Sequence, residues 1–346
     1  MERHLQIETW LRQIYPGAAF TLAPASADAS FRRYFRVSFE QAASVPPTCI
    51  VMDAPPGQED CRPWLAVQGH LQHAGVHVPE VLAQDVERGF LLISDLGSTP
   101  YLGALLRRSR GSGIQEIRAM YDDATDGLIR IQRCNRHAHL PVYDRALLQR
   151  EMDLFPDWYV AKHLGIVLSD SQRQVLHLAF EGILAMNLAE PRVFVHRDYH
   201  SRNLMFIDRS SGANPGVIDF QDAVYGPISY DLVSLFKDAY IEWDEELTLD
   251  WLIHYWEKAR QAGLPVRADF GEFHRDYEWM GAQRHLKILG IFARLCHRDG
   301  KDGYLKDMPL VAKYLRATCA RYRALGPLGK LVDELENRTV QLGYTF

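Results

Sequence analysis

The spacing of apolar residues changes period part-way along this chain, and that change restricts the possible fold more than any other feature. Up to about residue 94 the apolar runs are short and rich in aromatic and β-branched residues: Phe31 to Phe39, Cys49-Ile50-Val51-Met52 behind the Pro46-Pro47 turn, and Gly89 to Ser94. Runs of that length bounded by Pro and Gly read as strands. A helix lies between them, with Trp64, Val67 and Leu71 on one face. Another opens the chain, where Leu5, Ile7, Trp10, Leu11 and Ile14 recur at helical spacing before Pro16-Gly17 stops it. Beyond Asp95-Leu96-Gly97-Ser98 the helical period takes over, with Ile117, Met120, Ala124, Leu128 and Ile131 forming one stripe and Val175, Ala179, Ile183 and Met186 another. Short β-like segments interrupt at Val193-Phe194-Val195, Leu204 to Ile207 and Gly216 to Ile218, after which the chain reads as helical to its end. The expectation is an α+β chain in two parts: a strand-rich lobe over 1–96, a hinge at about 94–98, and a mainly helical lobe over 97–346.

A length of 346 residues suits such a division. Apolar residues at 47% and charged residues at 24% are ordinary for a globular chain, so folding throughout is expected. The net charge of -5 comes without a clustered basic face, which argues against nucleic acid as a partner. No apolar run approaches the roughly 20 residues that cross a bilayer, and Met1-Glu2-Arg3-His4-Leu5 has no apolar signal core. A cytoplasmic location is expected, with no membrane and no obligate protein partner. Cys49, Cys61, Cys134, Cys296 and Cys319 are odd in number and widely spaced, which opposes both a disulfide framework and a zinc site.

The densest chemical signal is Val195-His196-Arg197-Asp198-Tyr199-His200-Ser201-Arg202-Asn203-Leu204, followed twenty-one residues after Asp198 by Asp219 in Val217-Ile218-Asp219-Phe220. An acid follows one strand, an amide sits five residues later, and a second acid ends the next strand. Phosphoryl transfer asks for a carboxylate to orient the acceptor hydroxyl and hard oxygen ligands for magnesium. Asp198 is thus the candidate base, His196 its catalytic-loop companion, and Asn203 and Asp219 the metal ligands. Asp and Asn also favour turns; the order, spacing and flanking strands together carry the kinase reading.

On these residues the chain resembles the aminoglycoside phosphotransferase and choline kinase family. That family's catalytic loop, His-x-Asp-x-x-x-x-Asn, matches His196 to Asn203, and its Ile-Asp-Phe metal loop matches Ile218 to Phe220. Pro227 and Asp231 match its Pro-x-x-x-Asp-Leu segment, whose aspartate braces the catalytic loop. The resemblance implies a bilobal protein-kinase-like fold with a five-stranded antiparallel amino-terminal sheet, ATP and Mg2+ as cofactors, and adenine at the hinge. Only eleven residues separate Asp219 from Asp231, which leaves no room for the long activation segment of protein kinases. A finer similarity is to bacterial anomeric kinases of N-acetylmuramate and N-acetylglucosamine. It rests on Asp28 to Val37, Met52-Asp53-Ala54-Pro55-Pro56, Phe155-Pro156-Asp157-Trp158-Tyr159 and Gln283 to Gly290. It implies a small-molecule amino sugar as acceptor. Another acceptor, such as an aminoglycoside, choline or homoserine, and a catalytically silent nucleotide-binding protein remain alternatives.

Two departures from the kinase pattern stand out. The phosphate loop Ser26-Ala27-Asp28-Ala29-Ser30 has no glycine, and Met52-Asp53 occupies the strand position of the usual lysine. Ser30, Arg32, Met52, Ser94, Asp95 and Leu96 are the expected nucleotide contacts, with Arg32 or Arg33 as the replacement cation. For the acceptor, the candidates are Glu151, Trp158, His200, Asp222, Tyr225, Arg284 and His285, with Trp158 stacking on a sugar face and Arg284 forking onto a carboxylate. Glu242, Asp244, Glu245 and Glu246 read as the acidic first turn of a helix.

Overall fold

The structure, a computed structural model, describes residues 2–27, 31–40, 46–111, 113–135, 139–208 and 212–337. The chain divides into two compact units, Met1–Ile131 with Arg202–Asp222, and Gln132–Ser201 with Ala223–Phe346. This differs from a single cut near residue 96.

In the first unit, helix α1 (Glu2–Ile14) precedes strands β1 (Phe20–Ala27), β2 (Arg33–Phe39) and β3 (Thr48–Asp53), helix α2 (Arg62–His73), and strands β4 (Val81–Asp85) and β5 (Phe90–Ser94). The strands form one antiparallel sheet in the order β1-β2-β3-β5-β4. Strand side chains alternate between faces, so Val37, Cys49, Val51 and Leu92 share the face buried under Ile7, Trp10 and Leu11 of α1. Helices α3 (Tyr101–Ser109) and α4 (Ile114–Gln132) follow. The later strands β7 (Leu204–Met205) and β8 (Gly216–Val217) pair with each other. They are tied to this unit by Phe206 N–H donating to Thr99 O (2.8 Å) and Val217 N–H donating to His77 O (2.8 Å). Those long-range backbone bonds explain why a segment so late in the sequence belongs to the first unit.

The second unit contains α5 (Arg145–Met152), a π-helical segment Phe155–His163, α6 (Asp170–Leu188), β6 (Arg192–Val195), β9 (Val224–Pro227), α7 (Tyr230–Phe236), α8 (Glu245–Gln261), α9 (Phe270–Asp299), α10 (Met308–Arg321) and α11 (Gly326–Leu335). Helix α6 opens on a capping box: Ser169 Oγ accepts from Gln172 N–H, and Gln172 Oε1 accepts from Ser169 N–H. Helix α9 is buried without interruption from Asp276 to Gly290, so it is enclosed on all sides and any charge on it needs a partner. Its approach to the segment before the π-helix is close, for a Cβ on Gly290 would stand 2.4 Å from Leu154 C.

The expected class holds: α+β, with a five-stranded antiparallel sheet ahead of a mainly helical region. One correction concerns residues after 218, which are not all helical, because Val224–Pro227 pairs antiparallel with β6. Four residues are too few to display a period. Among the described residues no helix is long and apolar enough to cross a membrane. The five cysteines are free, and all but Cys296 are buried.

Candidate active site

The loop leaving β6 is clamped at both ends by buried carboxylates. Asp231, in the first turn of α7, accepts His196 N–H on Oδ2 (2.7 Å) and Arg197 N–H on Oδ1 (2.9 Å). Burial pushes the Asp231 carboxyl up to about 7, against the opposing pull of those two N–H groups and of Arg284. Asp238, just beyond α7, accepts Ser201 N–H on Oδ2 (2.9 Å) and Tyr240 N–H on Oδ1 (3.0 Å). Between the clamps Asp198 N–H donates to His196 Nδ1 at 3.2 Å, which places the His196 proton on Nε2 in the neutral ring. Arg197 is held in the left-handed region at φ 77°, a conformation that persists only where the surroundings impose it.

Those surroundings are a buried charge network. Glu151 of α5 takes the Arg197 guanidinium, the Tyr143 hydroxyl, Gln283 Nε2 at 3.2 Å and Lys287 Nζ at 2.9 Å. Burial would raise the Glu151 carboxyl, but Lys287 and Arg197 outweigh it and hold it at about 2. Arg284 Nη1 donates to Arg197 O and to Tyr230 Oη, both at 2.9 Å, and Nη2 lies 3.9 Å from Asp198 Oδ1. For Asp198, burial again raises the carboxyl, while Lys287, Arg284, His200 and Arg197 hold it down at about 2. Its side chain is 40% exposed, so water screens part of that pull. The result is an ionised, partly open carboxylate on a fixed loop.

Several expected acceptor contacts take other roles. Glu151 is buried and spends its oxygens on protein partners, so it acts on the loop through Arg197. Arg284 is also buried, and its Nη1 is taken by protein partners, so a bidentate fork toward a ligand carboxylate would have to use its Nε and Nη2 edge. His285 is fully buried, stacked on Tyr314 with centroids 5.4 Å apart, and burial pushes its pKa well below the ordinary value. Trp158 is half-buried on the π-helical segment. His200 sits edge-on to Tyr240 at 5.5 Å. Tyr225 lies on β9 opposite Phe194 of β6, next to the loop. Asp222 is exposed and belongs to the first unit.

In the first unit, Asn203 Nδ2 donates to Asp219 Oδ2 at 3.1 Å, and Gln221 Nε2 donates to Asp219 Oδ1 at 2.8 Å. Asp219 is left-handed at φ 65°. The following Phe220 is fully buried against Trp64 of α2, centroids 5.0 Å apart. Asn203 Oδ1 and the Asp219 carboxylate are hard oxygens of the kind magnesium takes, and magnesium keeps water and substrate phosphates for its other positions. Among the described residues no group of three or more His, Cys, Asp or Glu could form a protein cage for a metal. The oxygens of Asn203 and Asp219 fit a magnesium ion that completes its shell with other ligands.

On the sheet, Met52 is buried and pairs with Tyr34 and Leu91, on the face away from α1. Arg33 lies on the opposite face, where Asp53 takes it together with Arg3 of α1 (Nε to Oδ1, 2.8 Å). Arg33 is thus removed as a replacement cation. Arg32 has Glu59 at 4.0 Å, and Ser30 lies outside the described residues. Asp95 is gripped by Arg36 (2.6 and 3.0 Å) and accepts Gly97 N–H at 2.9 Å, which stiffens the segment before Gly97. Ser94 Oγ accepts Glu80 N–H at 2.9 Å. Leu96 packs so closely on β8 that a Cβ on Gly216 would stand 2.9 Å from Leu96 Cδ1.

Sequence reasoning missed Asp238, Gln221 and a cavity of about 290 Å³ in the second unit, walled in part by Lys237, Trp243, His274, Tyr277, Glu278 and Tyr314. None of the seven acceptor candidates lines it; Glu242, Asp244 and Glu245 do. Asp244 and Glu245 also stand at the start of α8, as expected. The cavity's cations are paired, Lys237 with Glu278 (2.6 Å), Lys313 with Glu242, and Arg321 with Glu245.

The family model described as "Phosphotransferase enzyme family" matches residues 21–270. The chain is 47% identical over the full length of both chains to a protein from Neisseria meningitidis serogroup B named N-acetylmuramate/N-acetylglucosamine kinase. It is 48% identical to a protein of the same name from Pseudomonas aeruginosa, over 91% of this chain and 88% of that one. Among solved structures, a choline kinase from Streptococcus pneumoniae superposes with TM-score 0.63 at 14% identity, covering 92% of this chain and all of that one. An ADP-bound aminoglycoside phosphotransferase gives TM-score 0.57 at 15% identity over 90% of this chain and 96% of that one. At such identities these two establish the shared fold alone.

Proposed function

This chain belongs to the phosphotransferase enzyme family, and from that premise we propose that it is an ATP-dependent sugar kinase. It acts on the anomeric C1 hydroxyl of N-acetylmuramate and N-acetylglucosamine and yields the α-1-phosphate, a step suited to peptidoglycan recycling in the cytoplasm. The observation that carries the reading is Asp198: ionised, partly open to solvent, and on a loop pinned by Asp231 and Asp238. The names of relatives identical at nearly half of all positions support the choice of acceptor.

Asp198 accepts a hydrogen bond from the C1 hydroxyl and takes its proton late in transfer, as the hydroxyl oxygen bonds the γ-phosphorus and the bond to the β-phosphate oxygen breaks, releasing ADP. A carboxylate held near 2 is a weak base. It suffices here because the ring oxygen makes an anomeric hydroxyl more acidic than an ordinary alcohol. Asn203 and Asp219 would hold magnesium, whose charge would offset that of the nucleotide's phosphates. Met52 and the Ser94 to Leu96 segment would line the adenine site.

The test is transfer from ATP to a panel of N-acetylmuramate, N-acetylglucosamine, an aminoglycoside and choline, with the product position read by phosphorus NMR. The expected product is an α-1-phosphate of the two amino sugars. Absence of transfer to both sugars ends the proposal.

A further inference from the structure

Phosphoryl transfer spreads negative charge over the three oxygens in flight, and enzymes of this chemistry set a cation against it. The arginines flanking β3 in the sheet are spoken for: Arg33 holds Asp53 and Arg36 holds Asp95. In the other unit, beside the base itself, lie three cations in buried or nearly buried positions. Two of them share one countercharge, since Arg197 and Lys287 both go to Glu151. The third is Arg284, and its pairing is incomplete. Its nearest carboxylate is Asp198, and the gap of 3.9 Å is beyond hydrogen-bond reach.

An arginine this close to a carboxylate would ordinarily close into a two-bond fork. Here it is held back, because Nη1 is fastened to Arg197 O and Tyr230 Oη while the guanidinium lies over the Tyr230 ring, 5.0 Å from its centroid. The restraint keeps Asp198 from being capped by its neighbour and leaves Nη2 at the rim of the base. An acceptor oxygen on Asp198 stands about 2.7 Å from the carboxylate, and the phosphorus it attacks about 3–3.5 Å further on. A phosphoryl oxygen that enters on the Nη2 side of that path would come within hydrogen-bond reach of a group 3.9 Å from Asp198 Oδ1. We propose that Arg284 is a catalytic residue that donates through Nη2 to the phosphoryl group as it passes to the acceptor. This rests on Asp198 being the base of the reaction above.

The two acceptors separate this role from its rivals, because N-acetylmuramate carries a lactyl carboxylate and N-acetylglucosamine does not. Arg284→Gln should lower kcat by about 10³-fold with both sugars, the lower end for a transition-state arginine, with either KM little changed. Added guanidinium should restore part of the rate. A loss confined to KM for N-acetylmuramate would make Arg284 a carboxylate contact and overturn the proposal. So would an unchanged plateau kcat with only a displaced acid limb in the pH profile, since that is the signature of a group that merely tunes Asp198. Arg284→Lys keeps charge and approximate size in the same buried position. If the glutamine variant does not fold by circular dichroism, the lysine variant decides: kcat at least about tenfold lower with both sugars is expected, and wild-type kcat refutes the role. Wild-type inactivity on both sugars would count against the acceptor assignment and leave Arg284 to be tested with whichever acceptor is turned over.

Discussion

The surroundings of Asp198 and of Asp219 are assembled from very different distances along the chain. Arg197, next to Asp198, meets Glu151 46 residues earlier and Arg284 87 residues later, and the loop's N–H groups reach Asp231 34 and 35 residues on. Asp219 finds Gln221 two residues away and Asn203 sixteen away. The first carboxylate is set among cations, while the second accepts from two side-chain amides. For the base proposed at Asp198, charge must persist beside a reacting centre, and buried helices supply the field that holds it. For the metal ligand proposed at Asp219, well-aimed oxygens suffice, and a short turn supplies them.

The sharpest way to break this contrast is to neutralise each acid. Asp198→Asn should cut kcat by about 10²–10⁴-fold while the magnesium concentration needed for half-maximal rate stays put. Asp219→Asn should instead raise that magnesium requirement steeply. If the asparagine at 198 moves the magnesium dependence and the one at 219 does not, the two roles are exchanged.

Stability offers a second, smaller contrast. Glu151→Gln strands two buried cations and should cost about 3–5 kcal/mol in urea unfolding. Asp53→Asn releases Arg3 and Arg33, whose side chains are 26% and 51% exposed and can return to water, so about 1–2 kcal/mol is expected. Glu151 is held at about 2 in the fold against an ordinary 4.5. Its contribution is therefore complete above about pH 4.5 and fades as pH falls toward 2. The stability gap between wild type and Glu151→Gln should close over that window; a gap constant from pH 6 to pH 3 would show that charge is not what Glu151 contributes. The smallest effect belongs to Gly216→Ala, where the flexible end of Leu96 must give way and the Ile207 side chain, at 3.3 and 3.4 Å, must yield slightly. KM for ATP should rise about two- to threefold with stability lowered by about 1 kcal/mol.

Much of this was legible in the residues. The apolar period located α1, α2, α4 and α6, and the short runs located β2, β3 and β5. The loop motif pointed to Asp198, Asn203 and Asp219, and the family resemblance gave Asp231 as the brace that its two accepted N–H bonds show it to be. Parity could also have placed Arg33, for it alternates in step with Phe35 and Val37 and so shares their α1-covered face. What could not be read was α9. Its run from Asp276 to Gly290 is apolar and charged by turns with no exposed face, so periodicity gives no hint of which charges meet. Asp238 and Glu151 likewise have no local signature, since a carboxylate that accepts distant N–H or guanidinium groups looks in sequence like any other.

By itself, the order of residues determined the fold class and the loops that carry Asp198, Asn203 and Asp219, because those features follow from backbone periodicity and short-range spacing. Tertiary structure alone decided which cations surround Asp198 and that Arg284 stops 3.9 Å short of it. These are consequences of burying one long helix on every side: charges carried into that interior must take whatever partners the packing brings, and sequence spacing does not record that choice.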